Sequence, residues 1–169
     1  MSEETAPVVV ATDAASLDII KKNMVWSVAA GLLPIPLVEV AAITAVELKL
    51  IRELADHYKV PFQQDLAKSA IASLMASLGS VTLGKIAARG AFKFVPVVGP
   101  LVAAASLSAV AAGFTYAVGR VFAMHFATGG SLLDFEIEKI REFFRREFAI
   151  GVKEAAKMST PTPAAAPAS

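Results

Sequence analysis

The chain has 169 residues, of which 56% are hydrophobic and only 18% are charged, and its net charge is +1. Soluble domains usually carry roughly 45–50% apolar and about 25% charged residues, so this composition favours contact with lipid. The near-neutral charge argues against electrostatic recruitment of nucleic acid, and the lack of cysteine excludes a disulfide framework or a zinc–thiolate site.

Residues 1–16 are predicted to form a disordered N-terminal arm. This stretch is acidic and has no basic region before an apolar run, which is not typical of a secretory signal. We therefore expect any insertion into a membrane to use internal segments of the chain.

The first predicted hairpin is built around a proline turn. An uncharged run at 23–38 is interrupted by Pro34 and Pro36. Proline removes a backbone donor and disfavours helix in the residue before it, so one helix must end here. A second helix is predicted over 37–59 and ends before Pro61.

The second predicted hairpin repeats this order. A helix over 62–93 leads to a turn that contains Pro96, Gly99 and Pro100, and an apolar helix follows over 101–127. Crossing a bilayer takes about 20 apolar residues, and the prolines shorten the available runs. Membrane-embedded and re-entrant hairpins both stay open at this point, with an ordinary soluble hairpin as the alternative.

The stretch GSVTLGKI, residues 79–86, resembles a phosphate-binding loop but carries Ile86 where a hydroxyl must hold magnesium. A phosphate loop also follows a strand, whereas good helix formers precede Gly79. We expect no nucleotide site here, and the glycines are better explained by helix packing.

Two stripes of small residues at a spacing of four predict close contacts between helices. Such stripes let two backbones approach each other, as helices do in lipid, although a tightly packed soluble core would show the same pattern. The first stripe is Ala72, Ala76, Ser80, Gly84 and Ala88, and the second is Ala105, Ala109, Gly113 and Ala117.

Charged side chains near the apolar runs form a second group of candidates. Lys85, Arg89 and Lys93 share one helical face, which favours contact with lipid phosphates or pairing with Glu39 and Glu47 of the other hairpin. A solvated cytoplasmic face is the alternative. No spacing of histidine, acidic or nucleophilic residues indicates a metal, a cofactor or a catalytic set, so we expect no enzyme.

An amphipathic helix is predicted over 131–157, followed by a disordered Pro/Ala-rich tail over 158–169. Its apolar stripe is suited to a membrane surface, to a partner helix or to a second copy of the chain, and docking on its own domain is the alternative. The stripe consists of Leu133, Ile137, Ile140, Phe144 and Phe148.

Four stretches between residues 20 and 130 resemble the YcjF-type bacterial domain, a family of unknown function often fused to, or encoded beside, Era-like GTPases. They are GLLPIPLVE (31–39), LADHYKV (54–60), VPVVGP (95–100) and FTYAVGRVFAMHFATGG (114–130). Glu39, where the family commonly has Asp, and Pro100 depart from the pattern. The resemblance implies an α-helical, membrane-associated, non-catalytic module whose GTPase would be a separate chain.

Together these patterns predict an all-α protein with a hairpin domain over 17–130 and an amphipathic helix over 131–157. We expect an anchor or adaptor in the bacterial inner membrane, with cytoplasmic termini and with membrane lipids and a GTPase or other cytoplasmic protein as partners. The alternatives are a self-assembling membrane scaffold or pore, which is a homo-oligomer, and a soluble helical lipid-binding bundle.

Overall fold

The computed structural model of the chain describes residues 12–32, 36–89 and 99–158. These ranges contain helices and no strand, which confirms the predicted all-α class. The helices are α1 (Ala14–Ala30), α2 (Pro36–Tyr58), α3 (Gln64–Arg89), α4 (Gly99–Ala127) and α5 (Ile137–Met158).

Helix α1 begins within the segment predicted to be a disordered arm. Asp13 caps it, because its carboxylate accepts a hydrogen bond of 2.7 Å from the Ser16 backbone N–H. This hydrogen bond from the Ser16 N–H, with a further one from the Tyr58 hydroxyl, holds the pKa of Asp13 below its ordinary value. The acidic start of the chain thus contains a helix-start signal that the composition of residues 1–16 hid.

Helices α2 and α4 are each followed by a residue with positive φ, and the next backbone N–H donates a hydrogen bond to a carbonyl in the last turn of the helix. Lys59 has φ 60°, and the Val60 N–H donates to the Ala55 carbonyl at 2.8 Å. At the end of α4, Gly129 has φ 89° and the Gly130 N–H donates to the carbonyl of His125 at 2.9 Å. This arrangement satisfies carbonyls that have no partner within the helix, and glycine suits it because it lacks a Cβ.

Helix α3 is interrupted at Gly79, whose φ of 65° and ψ of 161° are not helical. The four-residue stripe predicted along this helix therefore does not continue on one face across Gly79. On the first part of α3, Ala72 and Ala76 are exposed, whereas Ile71 and Leu74 are buried. The contact face of α3 is thus its larger apolar side chains.

Helix α4 is the centre of the bundle and contacts α1, α2 and α5. Helix α1 is antiparallel to it, because Ile20 lies against Gly119 while Gly31 lies against Ser108. Helix α5 is also antiparallel to α4. Its Val152 contacts Gly113 at the middle of α4, and Phe135, just before α5, stacks at 4.7 Å on Phe122 near the end of α4.

Helix α3 packs against α2 and α5 at the side of this bundle. The Arg145 side chain of α5 donates a hydrogen bond of 2.8 Å to the carbonyl of Ser77. Each large apolar side chain that is fully buried contributes roughly 1.5–3 kcal/mol relative to exposure. The fully buried core includes Ile20, Met24, Leu50, Ile51, Leu54, Leu74, Val118, Val121, Phe122 and Phe144.

Candidate functional site

One end of the bundle exposes a group of large apolar side chains, here called the apolar end. It combines the last turns of α1, the first turns of α2 and a residue of α4, which the antiparallel order of α1 with α2 and α4 brings together. Trp26 is 57% exposed and Leu37 is 85% exposed. The apolar end consists of Val25, Trp26, Leu32, Leu37, Val38, Val40 and Leu107.

The opposite end of the same bundle is polar. There the Asp13 carboxylate accepts a hydrogen bond of 2.9 Å from the Tyr58 hydroxyl and lies 3.2 Å from Nε2 of His57. The turn before α5 adds Asp134, which accepts a hydrogen bond of 2.6 Å from the Ser131 N–H. Exposed large apolar side chains in one region are typical of an interaction site, and the two ends therefore differ in polarity, although Leu133 is exposed at the polar end.

Some of the residues predicted to form the two hairpin turns lie instead at the starts of helices. Pro34 and Pro96 lie outside the described residues, whereas Pro36 is the first residue of α2. Gly99 and Pro100 begin α4 instead of forming the turn before it. Proline is tolerated in the first turn of a helix because the N–H that it lacks would have no helical partner there.

A buried polar cluster joins three helices. Thr115 of α4 lies 2.5 Å from Oε1 of Glu47 on α2, and its hydroxyl also contacts the hydroxyl of Ser27 on α1. All three residues are completely buried. The second oxygen of the Glu47 carboxyl, Oε2, has no hydrogen-bond partner among the described residues.

The environment of Glu47 favours its neutral, protonated form. Burial raises its pKa to about 8, although the hydrogen bond with Thr115 opposes this shift. The single hydroxyl hydrogen of Thr115 lies within reach of both Glu47 and the Ala111 carbonyl, which is 3.1 Å away. A protonated Glu47 that donates to Thr115 lets Thr115 donate to Ala111, so every hydrogen has an acceptor.

Among the described side chains Glu47 pairs with the Thr115 hydroxyl, and its pairing with Lys85, Arg89 or Lys93 stays a prediction. The other residues of the predicted charge group cannot be compared at side-chain level, since Glu39 lies in α2 and Lys85 and Arg89 lie in α3 without described side chains. Lys93 lies outside the described residues. Pattern reasoning missed the cluster because its partners are far apart in the chain.

A second buried polar contact, also missed, joins α4 to α5. Arg120 donates a hydrogen bond of 3.0 Å to the carboxylate of Glu147, which is buried. Glu147 is one of three charged residues in a row between Phe144 and Phe148, so the sequence pattern did not distinguish it as the buried one. A buried carboxylate needs such a partner because an unpaired charge is costly to desolvate.

The predicted amphipathic face lies against its own chain. Ile140, Phe144 and Phe148 are buried, and the Phe144 ring meets Phe114 of α4 edge-on at 5.8 Å. Ile137 is half-buried, and the remaining residue, Leu133, is 75% exposed because it precedes the start of α5. This is the intramolecular alternative, so these buried rings do not form a free surface.

The second small-residue stripe lies where α4 contacts its neighbours. Ala109, Gly113 and Ala117 are buried, and the side chain of Ala105 is outside the described set. A Cβ on Gly113 would lie 2.8 Å from the Val152 backbone nitrogen, so only glycine permits this approach of α5.

Helix α4 also contains the one stretch in the described ranges that is long and apolar enough to cross a membrane, Leu107–Ala127. Of its most apolar window, 67% is buried inside the bundle. Most of the apolar surface of this stretch therefore packs against the other helices.

Comparison with known proteins places the chain in a family. A domain of unknown function, DUF697, matches residues 7–150. Magnetosome membrane protein 22 of Magnetospirillum gryphiswaldense is 34% identical over 159 residues, which cover 91% of this chain and 82% of the relative. No solved structure matches the chain. Since the family match and the relative both extend over most of the sequence, this protein belongs to the DUF697 family.

Proposed function

We propose that this protein is a non-catalytic membrane anchor, whose apolar end enters one leaflet of the bacterial inner membrane and whose polar end faces the cytoplasm. The observation that carries the proposal is the apolar end itself, because large side chains such as Trp26 and Leu37 are exposed there. Partial insertion accounts for α4 better than a simple crossing, since most of that helix is covered by protein.

The energetics favour insertion of the apolar end. Moving an exposed Val or Leu side chain out of water is worth up to roughly 1.5–3 kcal/mol, and the apolar end has several. Lys153 and Lys157 follow Val152 on α5. Val152 packs against Gly113 at the middle of α4, so the two lysines lie on the side of that contact toward the start of α4. Lys153 is suited to an anionic headgroup, a contact worth about 1 kcal/mol near such a surface, whereas Lys157 is paired with Glu154.

The relative named as a magnetosome membrane protein supports association with a membrane. The resemblance to modules found beside Era-like GTPases supports a cytoplasmic GTPase as the partner of the polar end. In this hypothesis the protein is an adaptor that holds a soluble partner at the membrane, and the chemistry belongs to the partner.

Trp26 gives a direct test, because it is the single tryptophan of the chain and lies at the apolar end. We expect its fluorescence to shift to shorter wavelength when lipid vesicles are added, and to be quenched by brominated acyl chains. The double variant Leu37→Glu/Val40→Glu should lose this response, because it places charges on the apolar end. Both side chains are exposed, so the substitutions should leave the fold intact. The matched control is Leu133→Glu, an exposed site at the other end of the bundle.

Two results would contradict the anchor hypothesis. One is a wild-type protein that neither floats with vesicles nor changes its Trp26 emission. The other is a stable oligomer in the absence of lipid that masks Trp26 from aqueous quenchers, which would favour self-assembly through the apolar end. For the adaptor role, a pull-down from solubilised membranes that recovers no GTPase or other cytosolic protein would refute the partner hypothesis.

A further inference from the structure

A groove of about 600 Å³ runs along the bundle between α1 and α5. Both helices are antiparallel to α4, so they are parallel to each other and flank it, with Tyr116 of α4 lining the groove between them. On α1, Leu17, Met24 and Val25 share the facing side. On α5 the wall is formed by Ile150 and Met158 at helical spacing, and both are partly exposed.

The charged groups of this groove lie on both of its sides, with the cations on α1. Lys21 and Lys22 line it from α1, and neither makes an ion pair within the described ranges. The acidic residue on the α5 side, Glu154, lies 2.6 Å from the ammonium group of Lys157, which offsets its charge. Lys22 also lines a neighbouring cleft with Asp18, Glu53 and Asp56 and acts electrostatically on Glu53. Lys21 therefore contributes most to the positive edge of the apolar trough.

The groove is also continuous with the apolar end, because Val25 belongs to both. A molecule that leaves a bilayer at the apolar end would meet this trough directly. Its volume lies within the roughly 300–1,000 Å³ of small-molecule sites, which suits one flexible hydrocarbon chain. A phosphate carried by the same molecule would find its counter-charge at the lysine rim.

We propose that this groove binds one anionic phospholipid, with an acyl chain against Tyr116 and Ile150 and the phosphate at Lys21 and Lys22. The inference rests on the proposed membrane association, which brings the lipid to the groove. It adds a defined lipid site to the non-specific insertion of the apolar end.

The test is native mass spectrometry of the full chain in mild detergent, after lipid removal, with phosphatidylglycerol or phosphatidylcholine added back. We expect one phosphatidylglycerol per chain and about tenfold less retention of phosphatidylcholine. Ile150→Glu places a carboxylate in the trough and Lys21→Gln removes a cation from the rim, so each should lower phosphatidylglycerol retention about tenfold. Leu133→Glu and Lys68→Gln, exposed sites away from the groove, are the matched controls and should retain the lipid.

Equal retention by Ile150→Glu and its control would overturn the groove as the site. Equal retention of the two lipids by the wild-type protein would overturn the assignment of an anionic headgroup. The Trp26 response to vesicles tests the anchor hypothesis independently of the groove. A groove variant that still binds vesicles but no longer retains a single lipid supports both proposals. A wild-type protein that binds vesicles but retains no lipid overturns the groove proposal alone.

Discussion

Replacing Glu47 by glutamine should remove most of the pH dependence of stability between pH 5 and pH 8. In the folded protein, burial among α1, α2 and α4 raises the pKa of Glu47 to about 8 from an ordinary value of 4.5. The folded state therefore holds the proton more tightly than the unfolded state does. The stabilisation is complete below the ordinary value and is lost as the pH rises toward the folded value.

The size of the stability change follows from the gap between the ordinary and the folded pKa of Glu47. Within it, each pH unit lowers the free energy of unfolding by about 1.4 kcal/mol, so the Glu47 contribution falls by up to about 4 kcal/mol from pH 5 to pH 8. This is a large part of the roughly 5–15 kcal/mol that stabilises a typical domain. Above the folded pKa, a carboxylate would remain inside the bundle with no cation among the described side chains to pair with it.

The measurement is urea unfolding of the full chain, followed by far-ultraviolet circular dichroism at several pH values. Wild-type protein should lose stability steadily from pH 5 to pH 8, while Glu47→Gln should be nearly flat. Glu53→Gln is the matched control, because hydrogen bonds from Lys49 and Asn23 lower the pKa of Glu53 and leave it ionised throughout. Parallel loss of stability in the wild type and Glu47→Gln would refute the buried proton.

Three further substitutions test the packing described above, each by the same unfolding measurement. Gly113→Ala should destabilise the bundle by about 1–3 kcal/mol, because its Cβ would overlap Val152, and no loss would argue against the close approach of α4 and α5. Arg120→Ala should cost about 3–5 kcal/mol by leaving Glu147 buried without its partner, and the double variant Arg120→Met/Glu147→Leu should recover most of this. Asp13→Ala should cost about 1 kcal/mol near neutral pH through loss of the α1 cap. The loss should shrink as the pH falls from the ordinary pKa of Asp toward the lowered pKa of Asp13, and a loss that does not shrink would contradict that origin.

The sequence predicted those parts of the fold that local chemistry decides. The end of α2 before Pro61 and the end of α4 at Gly129 follow from residues that cannot continue a helix, and both were expected. The sequence also predicted apolar side chains at the turn of the first hairpin. It did not predict that they are exposed at one end of the bundle, because their exposure depends on which helices pack beside them.

Contacts between distant residues lay beyond pattern reasoning. Thr115 is 68 residues from Glu47 and 88 from Ser27, so no spacing rule connects them. The kink at Gly79 was missed for a different reason, since a glycine at a packing spacing and a glycine that breaks a helix look alike in one sequence. Docking of the apolar face of α5 on its own domain was one of the predicted alternatives. The sequence could not decide between its own domain and a partner, because the outcome depends on the surface that α4 presents.

The cluster of Glu47 with Thr115 also sets an order of events during synthesis. Ribosomes add about 5–20 residues per second, so the 68 residues between them take roughly 3–14 seconds to appear. During that interval the hairpin of α1 and α2 exists without α4, and the Glu47 carboxyl is still hydrated and ionised at neutral pH. Arrival of α4 removes the water and requires a proton from solvent. The docking of α4 on α1 and α2 is therefore a proton-uptake reaction, and this step is sensitive to the pH of the compartment where the chain folds.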